Sequence, residues 1–255
     1  MKNFLTRALF ALVFCASNAQ QINYVEYDLD NGLHVILHQD NSAPVVSATL
    51  QYHVGSKDED EGLKGFAHLF EHMLGKETKN MESGQWGKIY SARGGSGNAS
   101  TSVDLTNYYV TVPSNSLKLA LWRYSEIMLH PIIEQETIDI QREAVKEEKR
   151  LRYNQPYSPR FYDYLKRNFF INHPYKHPII GYFEDLDSSS LDDFLNFKEK
   201  FYSPSNAVFV VAGDINVDET KELISEYFDE IPYKGEKPEK KYPKEDPLSE
   251  EIRVK

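Results

Sequence analysis

Two histidines and a glutamate within five residues, His68, Glu71 and His72 in the run His-Leu-Phe-Glu-His, are the side chains of this sequence best suited to chemistry. On a helix His68 and His72 lie one turn apart on one face, with Glu71 beside them. Two neutral imidazoles so placed hold a divalent metal, and a neighbouring carboxylate takes a proton from water on that metal. Three fixed letters in five recur by chance, and histidines also sit in cores as hydrogen-bonded residues, so the flanks must decide. Phe66, Ala67, Leu69, Phe70, Met73 and Leu74 are all apolar, whereas a solvated surface helix carries a polar majority. At about 100° per residue the three polar side chains occupy one narrow arc. The pattern predicts a buried helix whose polar stripe faces a cavity.

A catalytic zinc takes three protein ligands and leaves a fourth position to water. Residues 137–152, TIDIQREAVKEEKRLR, contain no Gly or Pro and are rich in Glu, Lys and Arg, which predicts a helix. It offers Glu143, Glu147 and Glu148. On a helical wheel centred on Glu148, Ile138, Ile140, Ala144, Val145 and Leu151 fall to either side, Glu143 faces solvent and Glu147 lies at the margin. A carboxylate in the middle of an apolar face is costly to bury unless paired or metal-bound, which selects Glu148. Gln141 and Arg152 share that face and are candidates to hold the ligands in place from behind. A plain Glu148–Arg152 ion pair on a half-buried helix accounts for the same pattern.

These segments and two others carry a resemblance. GFAHLFEHML, GGSGNASTSVDLTNYYVTVPSNSLKLALW, QREAVKEEKRLRYNQPYS and FYSPSNAVFVVAGDINVDETKELISEYF, spread over residues 65–228, are similar to the pitrilysin/insulysin family of zinc metallopeptidases, which includes the mitochondrial processing peptidases. The His-x-x-Glu-His order is that of the inverted zincins. The resemblance implies that His68, His72 and Glu148 bind one Zn2+ per chain and that Glu71 is the general base of peptide hydrolysis. It implies that Asn98, Ala99 and Ser100 lie on an edge strand that pairs with the backbone of an extended peptide substrate; read alone, they are an ordinary strand with Asn98 at a turn. It further implies a second homologous domain or partner subunit across the substrate chamber, supplying an arginine and a tyrosine. Two departures stand out. Gln141 replaces an acidic residue found in some relatives, and Gly75-Lys76-Glu77-Thr78 replaces a bulky aromatic followed by Gly-Thr or Gly-Ser.

Residues 1–19 have the parts of a signal peptide: Lys2 and Arg7, an apolar run over 8–16, and Ser17-Asn18-Ala19 before a cut ahead of Gln20. That run is too short for a stable membrane anchor, so the expectation is an exported chain, periplasmic or secreted, with no transmembrane span once mature. Cys15 is the only cysteine and leaves with the signal; Phe14 before it is a poor fit to a lipid-attachment site. The mature chain then has no disulfide and no thiolate ligand, and a His/His/Glu site suits that. A net charge of −10, from 29 Lys+Arg against 39 Asp+Glu, argues against a nucleic-acid partner. The other histidines, His34, His38, His53, His130, His173 and His177, lack metal spacing on a helix and are assigned no role.

Residues 24–29 and 33–38 alternate about Asp30-Asn31-Gly32, a hairpin signal. Residues 45–54, 98–112 and 207–213 read as strands, and 84–91, 117–129, 137–152, 160–169, 191–201 and 217–228 as helices. These elements do not alternate as in βαβ repeats, so the expected fold is α+β, a two-layer sandwich of a largely antiparallel sheet with helices packed on it. The chain divides into a signal peptide (1–19), a zinc metallopeptidase domain (22–232) and a charged, Pro-containing linker (233–255) toward a second domain. The expected function is a zinc-dependent endopeptidase acting on extended peptides or small unfolded polypeptides. The rivals are a non-catalytic or half-active subunit that needs its partner, and a zinc-stabilised module that binds peptide without turnover.

Overall fold

Alternating side chains on four strands make one apolar sheet face, and the helices assemble against it. The computed structural model describes residues 22–153, 155, 159–247, 251 and 253. Strands β1 (Val25–Asp28), β2 (His34–Gln39), β3 (Val45–Tyr52), β4 (Ser96–Thr101), β5 (Thr106–Pro113) and β6 (Ala207–Gly213) form a single six-stranded sheet. Its order is β1-β2-β6-β3-β5-β4. β2 and β6 run parallel, and every other neighbouring pair is antiparallel. Val35 and Leu37, Val46, Ala48, Leu50 and Tyr52, Tyr108, Val110 and Val112, and Phe209 and Val211 are all buried, the period of two expected of a sheet with one covered face.

The helices are α1 (Phe66–Met73), α2 (Gln85–Ala92), α3 (Leu117–Leu129), α4 (Gln135–Tyr153), α5 (Pro159–Phe169), α6 (Phe183–Ser188), α7 (Leu191–Phe201) and α8 (Val217–Phe228). α3 packs on β3, β5 and α8, and α8 packs on β2, while α1 lies against β4, β5 and α4. The result is the expected α+β sandwich. Local chemistry starts the helices where they start. Ser190 and Asp193 form a capping box on α7, and Asn216 Oδ1 accepts the Glu219 N–H at the head of α8. The segment 1–19, with Cys15, lies outside the described residues; among those described, no helix is long and apolar enough to cross a membrane.

Residues 98–112 were expected as one strand and are two, β4 and β5, joined by a tight turn. Ser102 Oγ accepts the N–H groups of Asp104 and Leu105, and the Ser102 N–H donates to Leu105 O. A turn built on a serine hydroxyl needs neither Gly nor Pro, so the sequence shows no break there. The hairpin leaves β4 at the end of the sheet, with one edge unpaired among the described residues. The charged segment after Lys234 lies along the domain: Lys240 donates to Asp58 O, Tyr242 to the Asp58 carboxylate, and Glu245 accepts the N–H groups of Ile171, Asn172 and His173.

Phe209, on β6, meets Tyr124 of α3 at 5.5 Å and Phe228 of α8 at 5.0 Å between ring centroids. Phe209→Ala is expected to cost ~3–5 kcal/mol in urea denaturation. Leu195→Ala, at an exposed position on α7, is expected to stay within about 0.5 kcal/mol of the unsubstituted chain.

Candidate active site

Phe66–Met73 contains no Gly, Pro or β-branched residue and forms α1 as expected, but its start has no ordinary cap. The N-cap is Gly65, at φ +103°, with no side chain to offer. The capping is done from a distance by Glu59, whose Oε2 accepts the Gly65 N–H and whose Oε1 accepts the Ala67 N–H, both at 2.9 Å. This buried carboxylate satisfies two donors that a helix start leaves free and faces the positive end of the helix dipole. Burial pushes its pKa up to about 8, against the pull of the two N–H groups and Lys64. His177, also buried, brings Nδ1 to 3.8 Å from Glu59 Oε2, and burial pushes that imidazole down to about 4. A Cβ on Gly181 would lie 1.9 Å from Lys64 O, so only glycine lets the loop before α6 pass beneath the head of α1.

The back of α1 is clamped by aromatic rings. Phe66 stacks on Phe194 at 4.5 Å, Phe70 stacks on Tyr202 at 4.3 Å, and the Tyr108 hydroxyl donates to Phe70 O at 3.4 Å. With that side filled, His68, Glu71 and His72 project from the other.

The His68 and His72 rings are 4.8 Å apart at 78°. Glu148 Oε2, from α4, lies 3.7 Å from His68 Nε2 and 3.4 Å from His72 Nε2. These three ligand atoms fall within 4.8 Å of one another. Donors bonded at about 2.0–2.2 Å to a tetrahedral zinc sit roughly 3.3–3.6 Å apart; the two distances to Glu148 are close to that, and two imidazoles with a carboxylate are donors of the kind that ion takes. Burial pushes His68 down to about 3, with His72 and Arg152 adding to it. His72 is lowered too, chiefly by burial, with Glu148 opposing. Both imidazoles are therefore neutral and available as donors near pH 7. His68 Nδ1 is buried and has no partner among the described residues.

The second oxygen of Glu148, Oε1, binds Arg152 Nη2 at 2.5 Å. The two sequence readings of Glu148, ligand or ion pair, are thus compatible: one oxygen faces the histidines and the other the arginine. Gln141 is buried on α4, but among the described residues it makes no hydrogen bond to Glu148 or to either histidine. Glu143 and Glu147 are exposed and paired with Lys146 and Arg150. The wheel drawn around Glu148 needs correction. Ile140, Ala144 and Leu151 face solvent, and the buried stripe is Ile138, Gln141, Val145 and Lys149. Lys149 takes the inward place because its stem packs as an apolar chain. Its Nζ donates to Gly181 O and lies 5.1–5.4 Å from the Phe183, Tyr182 and Tyr153 rings. Glu148 flanks that stripe on the side of α1.

Glu71 Oε2 accepts the Thr101 hydroxyl. Burial raises the Glu71 pKa above the usual carboxylate range, and Thr101 holds it back. Thr101 belongs to the Asn-Ala-Ser-Thr stretch read as an edge strand, but its bond to Glu71 was not expected, although on a strand it shares a face with Ala99. Asn98 and Ser100 are exposed on β4 and Ala99 is half-buried, along the free edge of the sheet. Two cavities flank Glu71 and Ala99. One, of about 280 Å³, adds His68, Thr101, Arg152 and Tyr162; the other, of about 270 Å³, adds His72, Trp86, Asn98 and Arg123.

A largely antiparallel sheet with a His-x-x-Glu-His helix under its edge strand, and a glutamate brought in from a second helix, defines an α+β domain of the metallopeptidase type. Residues 34–182 match Insulinase (Peptidase family M16), and residues 188–255 match the Peptidase M16 inactive domain; the chain belongs to the M16 peptidase family. It is 33% identical over 224 residues to Zinc protease PqqE of Helicobacter pylori, covering 86% of this chain and 50% of that protein. The crystal structure of a protease from Helicobacter pylori superposes with a TM-score of 0.80 at 31% identity, covering 88% of this chain and 54% of that one. The periplasmic protease PqqL from Escherichia coli also gives a TM-score of 0.80, at 25% identity, over 89% of this chain and 26% of its own. The chain thus spans about half the length of the Helicobacter pylori relatives it matches.

Removing the carboxylate that caps α1 leaves buried N–H groups without partners. Glu59→Ala is expected to destabilise the metal-free chain by ~2–4 kcal/mol in urea denaturation. Glu59→Gln keeps one acceptor and is expected to lose less.

Proposed function

We propose that this chain is the metal-bearing half of a zinc-dependent endopeptidase that hydrolyses extended peptides or small unfolded polypeptides. The observation that carries the reading is the convergence of His68, His72 and Glu148 from two helices, with ligand atoms within 4.8 Å of one another, beside a carboxylate that takes no part in that cluster. His68, His72 and Glu148 are the residues that hold the ion. Zinc, when bound, supplies a Lewis acid that polarises a carbonyl and makes water acidic near neutral pH. Glu71 is the general base: it takes the proton of the attacking water and passes it to the leaving amine. Its raised pKa suits a group that must both accept and return a proton, and the Thr101 hydroxyl fixes one oxygen so that the other is presented to the water. Arg152 holds Glu148 by its far oxygen, which orients the ligand. The free edge of β4 at Asn98, Ala99 and Ser100 offers main-chain groups to an extended substrate.

Turnover needs a second homologous domain or subunit closing over the site. Support comes from the length of the relatives and from exposed apolar side chains on the two helices beside the site, Ile140 and Leu151 on α4 and Phe161, Tyr162 and Tyr164 on α5. Export to the periplasm or the medium is supported by the composition of residues 1–19 and by the periplasmic relative from Escherichia coli.

Glu71→Gln is expected to keep one zinc per chain by elemental analysis while hydrolysis of a quenched fluorescent peptide falls by ~10²–10⁴-fold. Glu148→Ala is expected to lose the metal; unchanged zinc content in that variant would remove Glu148 from the ligand set. Acidity supplies a further check. Protons compete with zinc for an imidazole only near or below its pKa, and both histidines lie below the ordinary 6.5. Apparent zinc affinity, followed by competition with a chromophoric chelator, is therefore expected to hold as the pH falls from about 8 to about 6.5 and to decline only below that. A decline already complete at 6.5 contradicts the neutral-imidazole site.

A further inference from the structure

Among the described residues Arg123 is a cation with no carboxylate partner, and it lines the cavity on the His72 side of Glu71. It projects from α3, and its guanidinium carbon lies 5.4 Å from the Trp86 ring, 5.3 Å from Tyr90 and 5.9 Å from Tyr124. Ring contacts of this kind and the Tyr90 hydroxyl beside the ion supply no acceptor of opposite charge to its five N–H donors. Among the described residues no carboxylate comes within 4.0 Å of those donors, and the buried Nε has no partner. Arg142, Arg150 and Arg152 on α4 all have carboxylate partners, so Arg123 differs from the arginines nearest the candidate metal site.

The cavity it lines holds about 270 Å³, room for one side chain, and is bordered by Glu71, His72 and Ala99. Lys76 adds a second positive charge to the lining. Glu71, the only carboxylate in that lining among the described residues, is already held by Thr101. Gly84 and Gly87 border the space as well, and nothing lies within 4 Å of where their Cβ atoms would be, so the α2 side is open. On the opposite flank the equivalent arginine, Arg152, is engaged by Glu148. A peptide running along the edge of β4 alternates its side chains and meets the two cavities on either side of Glu71.

We propose that the Arg123 cavity is a subsite for an acidic side chain, Asp or Glu, flanking the scissile bond, and that Arg123 is the residue that selects it. The proposal deepens the peptidase reading and rests on it. A planar guanidinium pre-oriented by aromatic rings presents two parallel N–H groups to a carboxylate, which a neutral amide of the same shape cannot match.

The test uses the zinc-loaded Glu71→Gln chain, which binds without cleaving, and a set of labelled decapeptides differing only by Glu, Gln or Lys at successive positions. Fluorescence anisotropy is expected to show, at one position, about tenfold tighter binding of Glu than of Gln, with Lys weaker than both. Adding Arg123→Met is expected to bring that Glu/Gln ratio to about one, with zinc content and affinity for the all-Gln peptide unchanged. Arg123→Lys keeps the charge and the stacked position, so it serves if the Met variant fails to fold; it is expected to reduce the ratio several-fold. A ratio near one at every position, a preference that survives both substitutions, or a zinc-loaded chain that binds none of the peptides overturns the subsite. Failure of the unsubstituted chain to bind zinc overturns the peptidase reading instead, and is seen before any peptide is added.

Discussion

Two hydrogen bonds that the Glu59 carboxyl oxygens accept from the N–H groups of Gly65 and Ala67 hold the head of α1, and every distance at the candidate site is measured from that helix. Ala67 immediately precedes His68, so the cap acts one residue from the first imidazole. A polar group in the interior is tolerable only if its hydrogen-bond partners are as fixed as it is. Here they are backbone groups of a helix whose other side is packed against Phe194 and Tyr202. Cap and aromatic clamp together leave α1 one way to lie, which is what a cluster of donors with tolerances of a few tenths of an ångström requires.

The second helix is held by different means. α4 is rich in charge, and its exposed side is laced by pairs three residues apart, Arg142 with Asp139, Lys146 with Glu143 and Arg150 with Glu147. Such pairs favour the helix but do not position it. Position comes from Lys149, which crosses to Gly181 in the same loop that passes under the head of α1. One short segment therefore touches the supports of both helices, and Glu148 is set relative to the histidines through it. Arg152 then fixes the rotation of the carboxylate itself.

Much of this was readable in the residues, for reasons that differ by case. The pitch of a helix turns a spacing of four into a shared face, so His68, Glu71 and His72 declared themselves once their flanks were seen to be apolar. Glu148 was found for a partly mistaken reason: its neighbours Ile140 and Leu151 are apolar yet point to solvent, while the charged Lys149 points inward. Periodicity records chemistry, and a lysine stem that packs like a hydrocarbon escapes it. Glu59 was hidden because a helix cap is sought within a few residues of the first turn, and this one lies in an acidic stretch, Asp58-Glu59-Asp60-Glu61, well ahead of Gly65. His177 looked like a loop residue before a proline and is buried against that same carboxylate. The 98–112 segment concealed its turn in a serine hydroxyl. The helices 117–129, 191–201 and 217–228, by contrast, carried clear periodicity and form as expected.

β2 and β3 follow one another in the chain but share no edge, because β6, made from residues 207–213, lies between them. The middle of the sheet thus waits for the last strand. Until that segment arrives, β2 and β3 have no neighbour in common, and the tail of α7 that carries Tyr202 is not yet seated behind Phe70. Closure of so distant a contact is slow compared with forming a local hairpin. A chain synthesised from its N-terminus therefore has His68 and His72 long before it can bring Glu148 up to them on a finished sheet. The order of the strands thus makes the packing behind the histidine helix depend on residues far along the chain from it.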